Sequence, residues 1–191
     1  MAEETVQVGK YTLESLTTGM YSDPKIVYRE YIQNSVDSLE HAVSLGLLEP
    51  QSMRIDIVVN AEESRILIKD NGMGIPADEA AKTLMNVGSS KKRNSNNRGF
   101  RGIGRLGGMS YCDTLVFTTS AENESVKTIV SFDCKKLRRL LVPGEYEDMS
   151  LSAVLEEITM IDTLPEKPEK HYLCVEMKEV NGFSSLISTH R

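Results

Sequence analysis

No tryptophan occurs in the 191 residues, aromatic side chains make up 6% of them, and cysteine appears three times. Scarce aromatics do not argue against a packed core. The chain is still 40% hydrophobic and 26% charged, the balance of one globular domain or of a domain within a longer chain. Cys112, Cys134 and Cys174 are far apart, odd in number and outside any CxxC spacing. They read as reduced thiols of a cytosolic protein and speak against a disulfide framework. His41, His171 and His190 are equally scattered, so no His/Cys metal cluster is expected. No apolar run approaches the ~20 residues of a membrane span, and "MAEETVQVGK" is too polar and acidic for a signal or transit peptide. These features lead us to expect a cytoplasmic protein with no membrane partner. There is no internal repeat.

A positive excess is also lacking. The net charge is −6, which disfavours general binding to nucleic acid or anionic membrane. The distribution is uneven, however. Between Gly88 and Ser110 lie Lys91, Lys92, Arg93, Arg98, Arg101 and Arg105, with no acidic residue among them. A Gly-rich stretch that gathers the cations of an acidic chain suits a negatively charged ligand; an ordinary solvated loop has the same composition.

Hydrophobic patterning predicts helices over 12–19 and 24–46, with Pro24 at the start of the second, where a missing N–H costs nothing. "RIDIVVN" and "SRILIKD" alternate apolar and polar residues around "AEE" and read as a hairpin or two adjacent strands. Residues 77–87 read as helical, and 88–101 as a polar, basic loop. "TLVFTTS" and "TIVSF" are further strands, 135–141 and 151–161 further helices, and "LPEKPEK" a linker before the strand "HYLCVEM". Helices segregated from strands predict an α+β, two-layer sandwich with a mixed, mostly antiparallel sheet and helices on one face.

Three stretches carry candidate chemistry. The first is "YREYIQNSVDSLEHA", residues 28–42. With successive residues about 100° apart, Tyr31, Ile32, Val36, Leu39, Ala42 and Val43 spread over a core-facing side. Glu30, Asn34 and Asp37 fall in a narrow arc opposite, at i, i+4 and i+7. A carboxylate such as Glu30 can activate water as a general base. An amide oxygen one turn on, at Asn34, suits Mg²⁺, which takes few protein ligands and completes its shell with water and phosphate oxygens. Asp37 suits local hydrogen bonding, and the whole row equally suits a helix face that simply meets water.

The second stretch is "KDNGMGIP". Asp70 ends a strand beside glycines, which let a flat ligand approach the backbone, and its carboxylate can accept from an exocyclic amine such as that of adenine. An ordinary Asn-Gly turn has the same composition. The third is "RGFRGIGRLGG". Gly102–Gly107 matches G-x-G-x-x-G, but "SSKKRNSNNRGF" before it cannot be the buried strand that a dinucleotide loop must follow. No G-x-x-x-x-G-K-[ST] is present either. What remains is a glycine segment offering backbone N–H groups to an anion, with Arg and Lys alongside. The three stretches suit one ligand: Asp70 for adenine, Asn34 for magnesium, the glycines at 99–104 for phosphates, and Glu30 for the attacking water.

In this order the motifs resemble the GHKL superfamily, the gyrase, chaperone, histidine-kinase and MutL ATPases that share the Bergerat nucleotide fold. The helix with Glu30 and Asn34 resembles its N box, "DNGMGI" its first Gly motif and "GFRGIG" its lid-side Gly motif, over roughly residues 13–120. Within it, "MYSDPKIVYREYIQNSVDSL" and "LMNVGSSKK" are particularly similar to ninety-kilodalton heat-shock chaperones of the HtpG type; Tyr21, Ser22 and Arg29 carry part of that likeness. "DNG" with "GFRG" leans instead toward type II topoisomerases and MutL.

The resemblance implies ATP or ADP and Mg²⁺ as cofactors, Glu30 as general base and Asn34 as metal ligand. It implies nucleotide contacts from Asp70, Asn71, Gly72, Met73 and Gly74, from Asn86 near the ribose or phosphates, and from Gly88, Ser89, Ser90 and Lys91. Gly99, Phe100, Arg101, Gly102, Ile103 and Gly104 would meet phosphate as a lid of about 88–108 folds over ATP. It further implies one nucleotide domain over 1–191, an N-terminal fragment of a longer protein. The related proteins supply a γ-phosphate cation from a following domain, so the isolated domain is expected to be a weak ATPase. A homodimer of the full-length protein and client proteins are the implied partners, with DNA a partner only if the module belongs to a MutL- or MORC-like clamp. One departure stands out: the superfamily's Thr on a late strand near adenine has no counterpart in "HYLCVEMKEV".

Overall fold

The computed structural model describes residues 25–85, 104–142, 144, 146 and 149–182. The helix expected at 12–19, the loop expected at 88–101 and most of the expected lid lie outside the described residues.

Helix α1, Lys25–Ser44, is followed by a 3-10 turn at Pro50–Ser52 and the hairpin β1, Ile55–Asn60, and β2, Arg65–Asp70. Helix α2, Ala77–Met85, comes next. After the 3-10 segment Gly104–Ser110 the chain forms β3, Cys112–Ser120, and β4, Val126–Asp133. Two short helices follow, α3, Cys134–Leu140, and α4, Leu151–Ile158, and then strands β5, Thr159–Pro165, and β6, Tyr172–Val180. The six strands form one sheet in the order β1-β2-β6-β3-β4-β5. Every pairing among the described strands is antiparallel. The α+β architecture is the one expected.

Strand alternation separates the two faces. Ile66, Ile68 and Asp70 of β2 share a face with Leu115, Phe117 and Thr119 of β3 and Val130 and Phe132 of β4, and all of them are buried. Helix α1 covers this face: Tyr31 packs edge-on against Phe117, which meets Phe132 in the same geometry. On the other face Arg65 and Lys178 pair with Glu176, and Val58, Met160 and Leu164 are exposed on the same side.

Two local readings need correction. The buried stripe of α1 is Val27, Tyr31, Ser35, Leu39 and Ala42, while Ile32, Val36 and Val43 are only half-buried. The stripe is centred on a serine because Ser35 bonds a buried carboxylate on the sheet. Glu30, Asn34 and Asp37 therefore flank the buried stripe, half-buried themselves, instead of lying opposite it. The second correction concerns 151–161. Ser150 caps α4 by accepting from Ala153 N–H, but the helix stops at Ile158 and Thr159 turns extended to begin β5. The "LP" of the expected linker ends that strand. β5 lies at the sheet edge, where Pro165 withholds no needed hydrogen bond.

No helix among the described residues is long and apolar enough to cross a membrane. The three cysteines are free thiols; burial pushes Cys174 up to about 11, out of the reactive range.

Candidate functional site

The C-terminal end of β2 and the length of α1 build the site. Asp70, the last residue of β2, is 1% exposed. Its Oδ2 accepts from Ser35 Oγ at 2.9 Å and its Oδ1 from Gly72 N–H at 2.9 Å. Burial raises the pKa of this carboxyl, and hydrogen bonds from Gly72 N–H, the Ser35 hydroxyl and the backbone of Leu173 and of Asp70 itself oppose the rise without cancelling it. A carboxylate offers about four lone-pair positions. Protein donors already occupy much of that capacity, and a ligand amine would share the carboxylate with them.

The loop after Asp70 is held from several sides. Met73 N–H donates to Ser38 Oγ of α1 at 2.9 Å. Ile75 N–H donates to Thr119 Oγ1 of β3 at 2.7 Å, and that hydroxyl donates to the Tyr172 carbonyl at 3.0 Å. His171 Nδ1 lies 2.6 Å from the Gly72 carbonyl. At the far end the Glu124 carboxylate accepts from Ala77 N–H, where α2 begins. Asn71 turns elsewhere: its Oδ1 accepts from Arg54 N–H and its Nδ2 donates to the Ser52 carbonyl.

Gly74 has φ +66°, and a Cβ there would stand 1.9 Å from the Ser120 carbonyl oxygen. Both the dihedral and the backbone contact forbid a side chain. Gly74→Ala should cost about 2–3 kcal/mol, read as a lowered urea midpoint with unchanged m-value. A midpoint within error of wild type would show that the loop can move aside freely.

The other end of α1 meets the glycine segment. A Cβ on Gly104 would lie 2.3 Å from Glu30 Oε2 and 3.0 Å from its Cδ, so the Glu30 carboxylate rests against the backbone where that segment's described part begins. Tyr31, the next residue, donates its hydroxyl to the Arg105 carbonyl at 3.0 Å and accepts from Gly108 N–H at 3.1 Å. Arg105 in turn donates from Nε to the Leu84 carbonyl, and burial lowers its pKa. Helix α1 is thereby the common support of both ends. From Glu30 to Ser38 it runs eight residues, a rise of about 12 Å. Asn34 is half-buried between them.

Of the expected site residues, the structure brings Glu30 to Gly104 and sets Asp70, Gly72, Met73 and Gly74 on one loop against α1. Asn86, Gly88, Ser89, Ser90, Lys91, Gly99, Phe100, Arg101, Gly102 and Ile103 lie outside the described residues. The late strand expected to lack a threonine does lack one, and Leu173 is the β6 partner of Asp70. The threonine that touches the loop comes from β3. Ser35, Ser38, Thr119 and His171 were not anticipated; Tyr31 was expected on the core-facing side of the helix, but not its bonds to the glycine segment. A serine inside the apolar stripe of α1 is the one signal that could have marked a buried polar partner.

Known proteins complete the description. Residues 21–157 match the family model described as "Histidine kinase-, DNA gyrase B-, and HSP90-like ATPase". The chain is 30% identical over 127 residues to a subunit of the type 2 DNA topoisomerase 6 of Pyrococcus furiosus, a match covering 62% of this chain and 22% of that protein. It is 27% identical over 107 residues to the chaperone protein HtpG of Rhizobium meliloti, covering 49% and 17%. It is 27% identical over 106 residues to an endoplasmin homolog of Leishmania donovani, covering 50% and 14%. The matched region is thus less than a quarter of the length of each of these relatives.

Proposed function

The chain belongs to the family of histidine kinase-, DNA gyrase B- and HSP90-like ATPases, and from that premise we propose that it is the Mg²⁺-dependent, ATP-hydrolysing domain of an Hsp90-like chaperone of the HtpG type. The observation that carries the reading is α1 itself. One helix holds Asp70 and its loop through Ser35 and Ser38, and sets Glu30 against Gly104 some 12 Å away along the axis.

In this reading Asp70 accepts from the 6-amino group of adenine, with Gly72, Met73 and Gly74 bringing backbone close to the base. Glu30 takes a proton from the water that attacks the γ-phosphate. The donor set suits Mg²⁺: Asn34 offers a neutral oxygen, and the ion's remaining positions go to phosphate oxygens and water. The chemistry such an ion would supply is neutralisation of the charge developing on phosphate. Asn86, Gly88–Lys91 and Gly99–Gly104 are assigned to the ribose and phosphates on the resemblance of their motifs, as is closure of a lid at 88–108. In the full-length protein, nucleotide state would shift a dimer between open and closed forms. The isolated chain should bind nucleotide well and turn it over slowly.

A second reading rests on the topoisomerase likeness, which covers more of this chain than the HtpG match. In it the module gates a DNA-processing clamp, and the cations from Lys91 to Arg105 meet phosphate backbone. Calorimetric titration of ADP and GDP with and without Mg²⁺, beside a DNA titration at several salt concentrations, tests both. The ATPase reading expects ADP to bind at least about 100-fold more tightly than GDP, because the guanine carbonyl would face the Asp70 carboxylate. Equal affinities would overturn the adenine assignment. Steeply salt-dependent DNA binding would favour the clamp over the chaperone.

A further inference from the structure

We infer that His171 is a positioning residue for the nucleotide base, acting as a latch on the 72–73 peptide of the loop that presents Asp70; the inference rests on the adenine-site reading above. A carbonyl oxygen can only accept, so at 2.6 Å from the Gly72 oxygen the His171 Nδ1 carries the proton and donates. The N–H of the same peptide unit belongs to Met73 and donates to Ser38 Oγ. A planar peptide held at its oxygen from one side and at its hydrogen from the other cannot rotate about its long axis. The two holders approach from different layers: Ser38 from α1, and His171 from the residue that leads into β6.

Glycine makes such a latch necessary. Gly72 has no Cβ, and one built there would lie 2.3 Å from Ser38 Oγ, so the tight approach of α1 requires glycine. The same residue is free to turn its carbonyl through conformations closed to other residues. If the 72–73 peptide turns, the neighbouring Gly72 N–H loses its aim at Asp70 Oδ1, one of the bonds orienting the carboxylate. The latch therefore acts on the base-reading carboxylate through one glycine. It also explains how the loop is held although β6 places Leu173, and no threonine, beside Asp70. His171 lines a cleft of about 270 Å³ with Ser52, Arg54, Asn71, Glu169 and Lys170. The ring is only half-buried there, so replacing it opens no sealed cavity.

The test compares His171→Ala, His171→Asn and His171→Gln. An Asn side chain carries an N–H₂ where the imidazole carries Nδ1, whereas a Gln amide sits one carbon further out. Hydrogen exchange in the nucleotide-free chain reads the latch directly. The Met73 amide should exchange about tenfold faster in His171→Ala, return toward wild type in His171→Asn, and stay fast in His171→Gln. Calorimetric ADP titration should show the same order, with affinity about tenfold lower in His171→Ala, the worth of one ordinary hydrogen bond. Unchanged exchange at Met73 in His171→Ala overturns the latch whether or not nucleotide binds. Faster exchange with unaltered ADP affinity overturns the positioning role. If wild type itself fails to bind ADP while exchange follows the expected order, the adenine-site reading falls together with the positioning role, and the latch stands as a loop restraint alone.

Discussion

Asp70→Asn is expected to abolish measurable ADP binding, at least about a hundredfold loss. The substitution preserves shape, so the result isolates chemistry. The wild-type carboxylate accepts from Ser35 and Gly72, and in the adenine-site reading it also accepts from the amine of the base. An amide has one oxygen to share among these donors, and its N–H₂ would point a donor at a donor. On binding, the N–H₂ set against the amine of the base leaves buried donors unpaired at about 1–3 kcal/mol, more where a charged acceptor is lost, and about 2.7 kcal/mol gives the stated loss. Calorimetry on both proteins decides it; binding within threefold of wild type would mean that Asp70 is a structural carboxylate only.

The same residue makes a pH signature. Its pKa is raised in the folded protein because burial penalises the charged form. The sign follows from linkage: a raised folded pKa means that the folded state holds this proton more tightly, so its stabilising contribution is full below the unfolded value near 3.9 and fades as pH rises through the folded value. Asp70→Asn lacks that dependence. Between pH 4 and pH 7 its melting temperature should gain on wild type in the absence of nucleotide, while in wild type ADP binding strengthens as Asp70 ionises. A melting difference that moves in the opposite direction would show that the hydrogen bonds outweigh burial.

Glu30→Gln is expected to lower the hydrolytic step by about 10²–10⁴-fold, with ADP affinity within about threefold of wild type. Glutamine keeps the contact with Gly104 but cannot take a proton from water. Because turnover by the isolated chain is expected to be slow, the measurement is single-turnover release of γ-phosphate with protein in excess. Equal loss of binding and hydrolysis would mean that Glu30 supports the Gly104 backbone and is not the base. Undiminished hydrolysis would remove it from the mechanism.

Much of the candidate site was legible because the residues proposed for it are local in sequence. Asp70 and the glycines after it form one stretch, and Glu30 and Asn34 are one helical turn apart, so periodicity alone puts them on one edge of α1. The helix-to-strand switch at Ile158–Thr159 was not legible, because "TMIDTLP" is apolar enough to continue α4, and only pairing with β4 makes it strand. Ser35 inside the apolar stripe could have signalled a buried polar partner, but the sequence does not say that the partner is Asp70 on β2. His171 and Thr119 are far from Asp70 in the chain, and nothing in their own neighbourhoods says that they meet its loop.

By itself, then, the sequence determined the family, the α+β class and the residue types at both ends of the candidate site, because motif order and hydrophobic period are properties of short stretches. The tertiary structure decided which residues hold those ends in place. Antiparallel pairing of β2 with β6 and of β6 with β3 brings His171 and Thr119 to the loop, and the rotation of α1 on the sheet selects Ser35 and Ser38. Such contacts depend on strand register and helix rotation, which burial across the whole sheet sets and no local segment encodes.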